Sequence, residues 1–227
     1  MSDQDSRKEE LSKKYGINFD KLEEEQLKLT KDLEIKDKID FSLIERYGGI
    51  DTSFVGNKIL SCIIVCDKNY EIIDKAYFLD KIKFPYFPGF RNYRELPAMI
   101  SAFEKLNEKP DIVFVSGQGI MHDRLGLASH FGLSTNRPTI GVSNSLVNCN
   151  VKEEADGEKI NKKNKQVGIT LTSKPGSRPM YISPGNHISI EKSYEISKDL
   201  INPPHKKPEP LHLAGKYARE VKKELTI

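Results

Sequence analysis

Two acidic residues, Asp51 and Glu95, lie where the surrounding pattern predicts regular structure. Asp51 is inside the strand-like stretch 48–54, and Glu95 is at the start of a helical pattern. A carboxylate buried in a strand costs free energy unless it is paired or binds a cation, so Asp51 is a candidate cation ligand. The alternative for Asp51 is a surface position at a strand end. The alternative for Glu95 is a first-turn residue favoured by the helix dipole.

A loop with two aromatic residues precedes Glu95. Tyr86 and Phe87 lie between Pro85 and Pro88. Proline fixes φ and removes a donor, so such a loop can hold its rings outward at low entropic cost. Packing of these rings against the protein itself is the alternative.

A glycine loop, Ser116-Gly117-Gln118-Gly119, follows the short apolar run 112–115, which is rich in β-branched residues. Such a run is typical of a buried strand. In open α/β sheets, ligands bind outside the carboxyl ends of the strands. The sequence therefore predicts a ligand site near this loop.

The remaining pattern predicts the elements that must position these residues. An amphipathic helix or helix pair covers 6–36, with an interruption near Gly16. We expect this arm to pack on the domain through its leucines rather than to form a coiled coil. The other predicted elements are strands at 48–54, 59–66 and 70–79 in an antiparallel meander, strands at 112–115 and 138–142, a hairpin from 166–172 and 180–183, helices at 92–106, 124–131, 189–200 and 211–225, a loop at 152–165 and a stiff linker at 203–210.

Composition excludes several classes of protein. The chain has 227 residues, of which 30% are charged, and its net charge is +3. No run approaches the ~20 apolar residues of a membrane span, and the N-terminus has no signal-peptide core. Three scattered cysteines, Cys62, Cys66 and Cys149, do not suggest a disulfide framework or a zinc site. We expect a cytoplasmic monomer without a membrane partner. Its charge allows a local basic face but does not prove a nucleic-acid partner.

Several separate blocks of the chain resemble the endonuclease V family, whose members cut DNA or RNA one phosphodiester beyond a deaminated adenine (inosine). The blocks follow the family's order at close to its spacing, from Gly48 to the region of Ser189. They read GGIDTSF at 48–54, PYFPGF and RELP within 85–97, PDIVFVSGQGIMHDRLGLASHFGL at 110–133, PTIGVSNS at 138–145 and ISPGNHIS at 182–189.

This resemblance implies an α/β, RNase H-like fold: a mixed sheet of three antiparallel strands and then parallel strands, flanked by helices. It implies an endonuclease V-like domain over 41–227, including the helix at 211–225, preceded by a helical extension at 1–40. The implied cofactor is Mg²⁺, and the implied partner is DNA or RNA that contains deaminated bases.

Family resemblance also implies a metal site, and this chain departs from it. Asp51 and Glu95 match the family's carboxylates. The family usually has an Asp at the position of Ser116, which would be the third residue on the metal. A neutral hydroxyl there removes one formal negative charge from a site for a hard cation.

Two further departures concern positions that the resemblance assigns to the reaction. The family usually has Lys where this chain has Asn144, and that change removes a cation that could stabilise phosphate charge. We expect a family His where this chain has Asn186, which cannot act as an acid or base. His187 could supply the imidazole, although adjacent residues at a strand end point in opposite directions.

The residues that the resemblance assigns to base recognition are better preserved. Tyr86 matches the wedge that takes the place of the displaced base. Gly117, Gly119 and His122 match the loop around the flipped base, although turn glycines are common without a ligand. Arg124 could contact phosphate or support helix packing. The family commonly reads His-Pro-Arg-Arg where this chain has only His122-Asp123-Arg124.

Two hypotheses follow from these matches and departures. The first is a family member that recognises inosine in DNA or RNA but whose Mg²⁺-dependent cleavage is weakened or lost. The second is an active Mg²⁺-dependent endonuclease that uses Asp51 and Glu95, with His187 as a substitute base. A cleavage assay on inosine-containing strands discriminates between them.

Overall fold

One nine-stranded mixed sheet runs through the protein. The computed structural model describes residues 3–152 and 155–225. The strand order is β3-β2-β1-β4-β5-β9-β8-β7-β6. The strands are β1 (Tyr47–Val55), β2 (Lys58–Cys66), β3 (Ile72–Lys81), β4 (Ile112–Ser116), β5 (Thr139–Ser143), β6 (Asn150–Val151), β7 (Lys159–Lys162), β8 (Lys165–Leu171) and β9 (Met180–Asn186).

The first five strands confirm the predicted mixed sheet. Strands β1, β2 and β3 form an antiparallel meander, and β4 and β5 join it in parallel. Strand β9 then runs antiparallel to β5. Residues Ile59 to Cys66 of β2 are all buried, as their unbroken apolar run predicted.

Helices cover both faces of the sheet. They are α1 (Asp3–Tyr15), α2 (Phe19–Leu29), α3 (Arg91–Glu104), α4 (Leu127–Thr135), α5 (Ile190–Asp199) and α6 (Glu209–Leu225). Helices α3 and α4 pack on the face that presents Ile50, Val113 and Val115. Helix α6 packs on the opposite face of β1 and β2, around Leu60 and Cys62. None of the described helices combines the length and apolar character that crossing a bilayer requires.

The predicted N-terminal helix pair is confirmed, and it packs on the aromatic loop. Gly16 separates α1 from α2 and has a φ of +66°, which glycine adopts without strain. The contact depends on Phe19, which is buried against Phe87 and Phe90, more than on the leucines that we expected to carry it. The division into an extension at 1–40 and a domain at 41–227 stays a prediction.

Three segments differ from expectation. Helix α4 begins at Leu127 rather than at residue 124, because the backbone at Gly126 lies directly against the carbonyls of Gln118 and Gly119. Strand β7 lies in the segment 152–165 that was predicted as a loop, and its buried Ile160 packs beside Met121; β6 ends directly before that segment, and residues 153–154 are outside the described part. The predicted linker 203–210 ends with the first two residues of α6.

Candidate functional site

Asp51 and Ser116 lie side by side where β4 ends. Strands β1 and β4 pair Ile50 with Val115, so Asp51 and Ser116 are the next residues of this parallel register. Side chains alternate along a strand, so both face away from the α3 side. On that face α6 passes close to Asp51: a Cβ added to Gly215 would lie 3.4 Å from Asp51 Oδ2. The half-buried Asp51 accepts a hydrogen bond of 3.0 Å from the Thr52 N–H.

Glu95 is held by an arginine one helical turn earlier. Its side chain is 5% exposed, and Arg91 Nε and Nη2 donate to its two oxygens at 2.5 and 2.9 Å. The Thr52 hydroxyl also donates to Oε2. A guanidinium fork matches a carboxylate in this bidentate manner, so both oxygens of Glu95 are occupied. Thr52 follows Asp51 in β1, so it faces α3, on the other side of the strand.

A pocket of about 540 Å³ lies between the aromatic loop and the glycine loop. Tyr86 lies at this pocket and is 57% exposed, whereas the adjacent Phe87 is buried beneath the loop. Polar side chains that could read a ligand's edge also line the pocket. They are Gln118, His122, Ser143, Ser145 and Asn148. We name this the aromatic-rimmed pocket.

His122 is a hydrogen-bond donor within this pocket. Burial, and then the nearby Arg124 charge, lower the pKa of His122 to about 4, so the ring is neutral at pH 7. Its Nδ1 accepts from the Arg124 backbone N–H at 3.1 Å. The remaining proton is therefore on Nε2, and His122 can donate a hydrogen bond to an acceptor in the pocket.

A second pocket, of about 500 Å³, adjoins the Asp51 side of the sheet. Its wall includes Asn144, one residue after Ser143 of the aromatic-rimmed pocket, and Gly215, which adjoins Asp51. Four cationic side chains line it: Arg178, Lys206, Lys207 and Arg219. We name it the basic pocket. Its cations come from separate segments of the chain, so the Lys206-Lys207 pair in the predicted linker was the visible signal for this pocket in the sequence.

Comparisons with known proteins agree with this fold. The sequence profile of the endonuclease V family matches residues 27–216. The chain belongs to the endonuclease V family. Endonuclease V of Thermosipho melanesiensis is 40% identical over 186 residues, which cover 80% of this chain and 82% of that protein.

Solved endonuclease V structures have the same fold. The Bacillus subtilis protein superposes with a TM-score of 0.86 at 27% identity, covering 92% of this chain and 94% of that one. Ciona intestinalis endonuclease V, solved with a DNA containing an inosine followed by a ribo-adenosine, has a TM-score of 0.83 at 23% identity, covering 91% and 98%. At that lower identity the likeness concerns the fold alone.

Endonuclease V proteins are generally metal-dependent, and of the three residues expected at the metal only Asp51 is a carboxylate without a recorded ion pair in the described part of the chain. Mg²⁺ is a hard cation that demands near-octahedral oxygen coordination, commonly from one or two carboxylates with waters and phosphate. Here Asp51 is one carboxylate, Ser116 is a neutral hydroxyl, and Glu95 is already neutralised by Arg91. The i, i+4 spacing of Arg91 and Glu95 is the signal in the sequence that indicates this pair.

The two loop glycines do not line the aromatic-rimmed pocket. A Cβ on Gly119 would lie 2.0 Å from the Pro184 carbonyl oxygen, so this glycine is required by close packing on β9. A Cβ on Gly117 would meet the Leu127 side chain at 3.1 Å. Their glycine identity therefore has a packing reason, and Gln118 between them is the residue that reaches the pocket.

Arg124 serves packing. Its guanidinium donates to Gln26 Oε1 at 2.6 Å, to Glu23 Oε1 at 3.0 Å and to the Gly89 carbonyl at 3.2 Å, and it lies over the Phe90 ring. The side chain is 18% exposed. Arg124 therefore ties α2 to the aromatic loop, and because it also lines the aromatic-rimmed pocket, phosphate contact stays a prediction.

Asn186 and His187 lie away from this site. Asn186 pairs with Thr139, at the start of β5, whereas Ser116 and Ser143 lie at the ends of β4 and β5. Asn186 is buried, and its Oδ1 accepts from the Glu34 N–H at 2.9 Å. His187 N–H donates to the Glu34 carbonyl at 2.7 Å. Both residues therefore anchor the segment after α2 where β5 begins, away from Ser116, and their assignment to the reaction stays a prediction.

Proposed function

We propose that this endonuclease V family member binds inosine-containing DNA or RNA and has weakened or lost metal-dependent cleavage. The proposed weakening or loss of cleavage is supported by the bidentate pair of Arg91 with Glu95. A divalent cation at Glu95 would have to displace a guanidinium from a nearly buried carboxylate, and one at Asp51 would meet a neutral hydroxyl at Ser116 in place of a second carboxylate.

Binding is supported by the aromatic-rimmed pocket. A base removed from a stack is read by hydrogen bonds to its edge and by stacking on aromatic side chains. Hypoxanthine presents an N–H donor and a carbonyl acceptor side by side on its Watson–Crick edge. Neutral His122 can supply a donor, and the Gln118 amide can accept, so the pocket has the complementary pair. Adenine presents the reverse pattern on that edge.

Nucleic acid is further supported by the basic pocket. Its four cationic side chains lie beside Asn144, so the cation missing at that position has neighbours that can neutralise phosphate. Related proteins have such a partner: the Ciona endonuclease V was solved with inosine-containing DNA. We extend that partner class to this chain as part of the proposal.

The binding test compares matched strands. Fluorescence anisotropy on strands that carry inosine, adenosine or guanosine at one position should show tighter binding to inosine, in both DNA and RNA. Tyr86→Ala should weaken inosine binding by about 1–3 kcal/mol, roughly 5- to 150-fold, because one stacking contact is lost. Tyr86→Phe, which keeps the ring, is the matched control. Equal affinity for all three strands would refute base recognition.

A cleavage test addresses the catalytic half separately. Labelled inosine strands are incubated with Mg²⁺ or Mn²⁺, and we expect little or no product from the natural chain. The alternative, an active metal-dependent endonuclease, is favoured by one observation: Asp51 is half-buried beside the basic pocket without a recorded ion pair among the described residues. Robust turnover that Asp51→Asn abolishes would establish the alternative and leave the binding result standing.

A further inference from the structure

Two histidines and a glutamate come together where α6 begins. The donor atoms of His205, Glu209 and His212 all lie within 4.8 Å of one another. His205 Nδ1 lies 2.7 Å from Glu209 Oε2, and the two imidazole rings stack with centroids 3.5 Å apart. The Glu209 side chain is only 5% exposed. A buried carboxylate against two imidazoles is an arrangement that needs an explanation.

The backbone holds this cluster in place. Ile201 and Pro208 form a β-bridge, and the Glu209 N–H donates to the Leu200 carbonyl at 2.8 Å. The loop between them is therefore closed, and His205 lies in this loop with its ring against Glu209. His212 follows Glu209 by three residues in α6, so those two side chains share one side of the helix start.

We propose that His205, Glu209 and His212 bind a divalent transition metal ion of the Zn²⁺ class. Two imidazoles and one carboxylate are a donor set that zinc uses in open, three-ligand sites. The site is distinct from the one formed by Asp51 and Ser116, and nothing in the proposed function depends on it. Mg²⁺ is not its ion, because nitrogen ligands do not suit a hard cation.

Small side-chain movements would complete the coordination. Metal–nitrogen bonds of about 2.0 Å place tetrahedral ligand atoms about 3.3 Å apart. The longest separation here, 4.8 Å, must shorten, and the imidazoles must leave their stacked arrangement. The His205 side chain is 32% exposed and can rotate. The ion takes the position between His205 Nδ1 and Glu209 Oε2, and the neutral His205 ring then carries its single proton on Nε2.

The surroundings define the remaining coordination position. His212 also lines the basic pocket, next to Lys206, Lys207 and Arg219. Burial, and then the neighbouring His205, lower the pKa of His212, which keeps this imidazole neutral and able to bind a metal. The cationic side chains around the pocket repel any cationic group, so the open coordination position takes a water or an anionic oxygen.

Metal titration tests the site directly. The full chain, prepared without a polyhistidine tag, is titrated with ZnCl₂ by calorimetry and with CoCl₂ by visible absorption, which reports tetrahedral coordination. We expect one equivalent to bind, and His205→Ala and His212→Ala each to weaken binding by more than about tenfold. His187→Asn is the control, because His187 is not one of the three clustered donors and its φ of +57° suits asparagine.

Two outcomes would overturn the proposal. One is the absence of stoichiometric Zn²⁺ binding by the natural chain. The other is an equal loss of affinity in His187→Asn and the two alanine variants, which would indicate adventitious surface binding. If His212→Ala does not give a native circular dichroism spectrum, His205→Ala alone decides, because His205 is the more exposed ligand. Inosine binding is measured separately, so its failure would not affect this result.

Discussion

Replacing Arg91 with leucine should reveal whether its guanidinium occupies the place of a cation beside Glu95. The substitution removes the charge but keeps an apolar side chain suited to a helix. It leaves Glu95, whose side chain is 5% exposed, with Thr52 as its remaining recorded partner. Removing one member of a buried ion pair costs about 3–5 kcal/mol. Since Arg91 is 44% exposed and solvent screens the pair, we expect about 2–3 kcal/mol here.

The expected loss is measurable by thermal unfolding. For a chain of this length, 1 kcal/mol corresponds to about 2–4 °C, so Arg91→Leu should lower Tm by roughly 4–12 °C. A divalent cation that binds the released carboxylate should reverse part of this loss, by about 2.7 kcal/mol at a concentration 100 times its Kd. Mn²⁺ should therefore stabilise Arg91→Leu and leave the natural chain nearly unchanged at constant ionic strength.

The control is the double variant Arg91→Leu/Glu95→Gln. Without the carboxylate it should lose less stability than Arg91→Leu, and Mn²⁺ should not stabilise it. The reasoning is refuted if Arg91→Leu is as stable as the natural chain, or if Mn²⁺ raises the Tm of all three proteins equally. In either case Arg91 would be a surface partner of Glu95 and not a substitute for a metal ion.

Two further predictions concern stability. Arg124→Ala leaves the buried Gln26 amide oxygen without its donor, so it should lower the free energy of unfolding, measured by urea titration, by about 2–3 kcal/mol. Lys13→Ala is the control: it removes an exposed ion pair with Glu9 and should lower the same free energy by less than about 0.5 kcal/mol. Burial lowers the pKa of His122 and the pKa of His130 to about 4, so these rings bind protons more readily in the unfolded chain. The free energy of unfolding, measured by urea titration, should therefore fall as pH drops from about 6.5 towards 4, and the double variant His122→Asn/His130→Asn should show a smaller fall than the natural chain.

Elements with a strong local pattern were predictable from the sequence. Strand β2 is covered by α3 on one face and by α6 on the other, so both sets of its side chains are buried. The sequence shows this as a nearly continuous apolar run, which predicts a buried strand. The break at Gly16 and the Ser189 cap of α5 were also readable, since each depends on neighbours in the chain.

Contacts between distant residues were not predictable in this way. Arg124 and Gln26 are separated by 98 residues, and no periodicity indicates that their side chains meet. The same holds for Gly119, whose glycine requirement comes from β9, and for the cluster around His205, which a proline-rich composition presented as a linker. Asn186 shows another limit of local pattern. The sequence motif indicates strand β9, but only the pairing of β9 with β5 shows that Asn186 lies where β5 begins.

The candidate metal position and the aromatic-rimmed pocket meet at two residues and are otherwise built from different parts of the molecule. The metal position depends on the ends of β1 and β4 and on one turn of α3, whereas the pocket depends on the loop around Tyr86, the glycine loop and the α2 contact made by Arg124. Ser116 begins the glycine loop, and Arg91 also lines the pocket. Among the described residues, neither side chain has a recorded hydrogen bond to the loop that holds Tyr86, so changes at the metal position leave that loop's own contacts in place. The loop that holds Tyr86 is stiff in its own right, because Pro85 and Pro88 restrict its backbone and Phe87 is buried beneath it. Retained recognition without retained cleavage is therefore a physically consistent state of this fold.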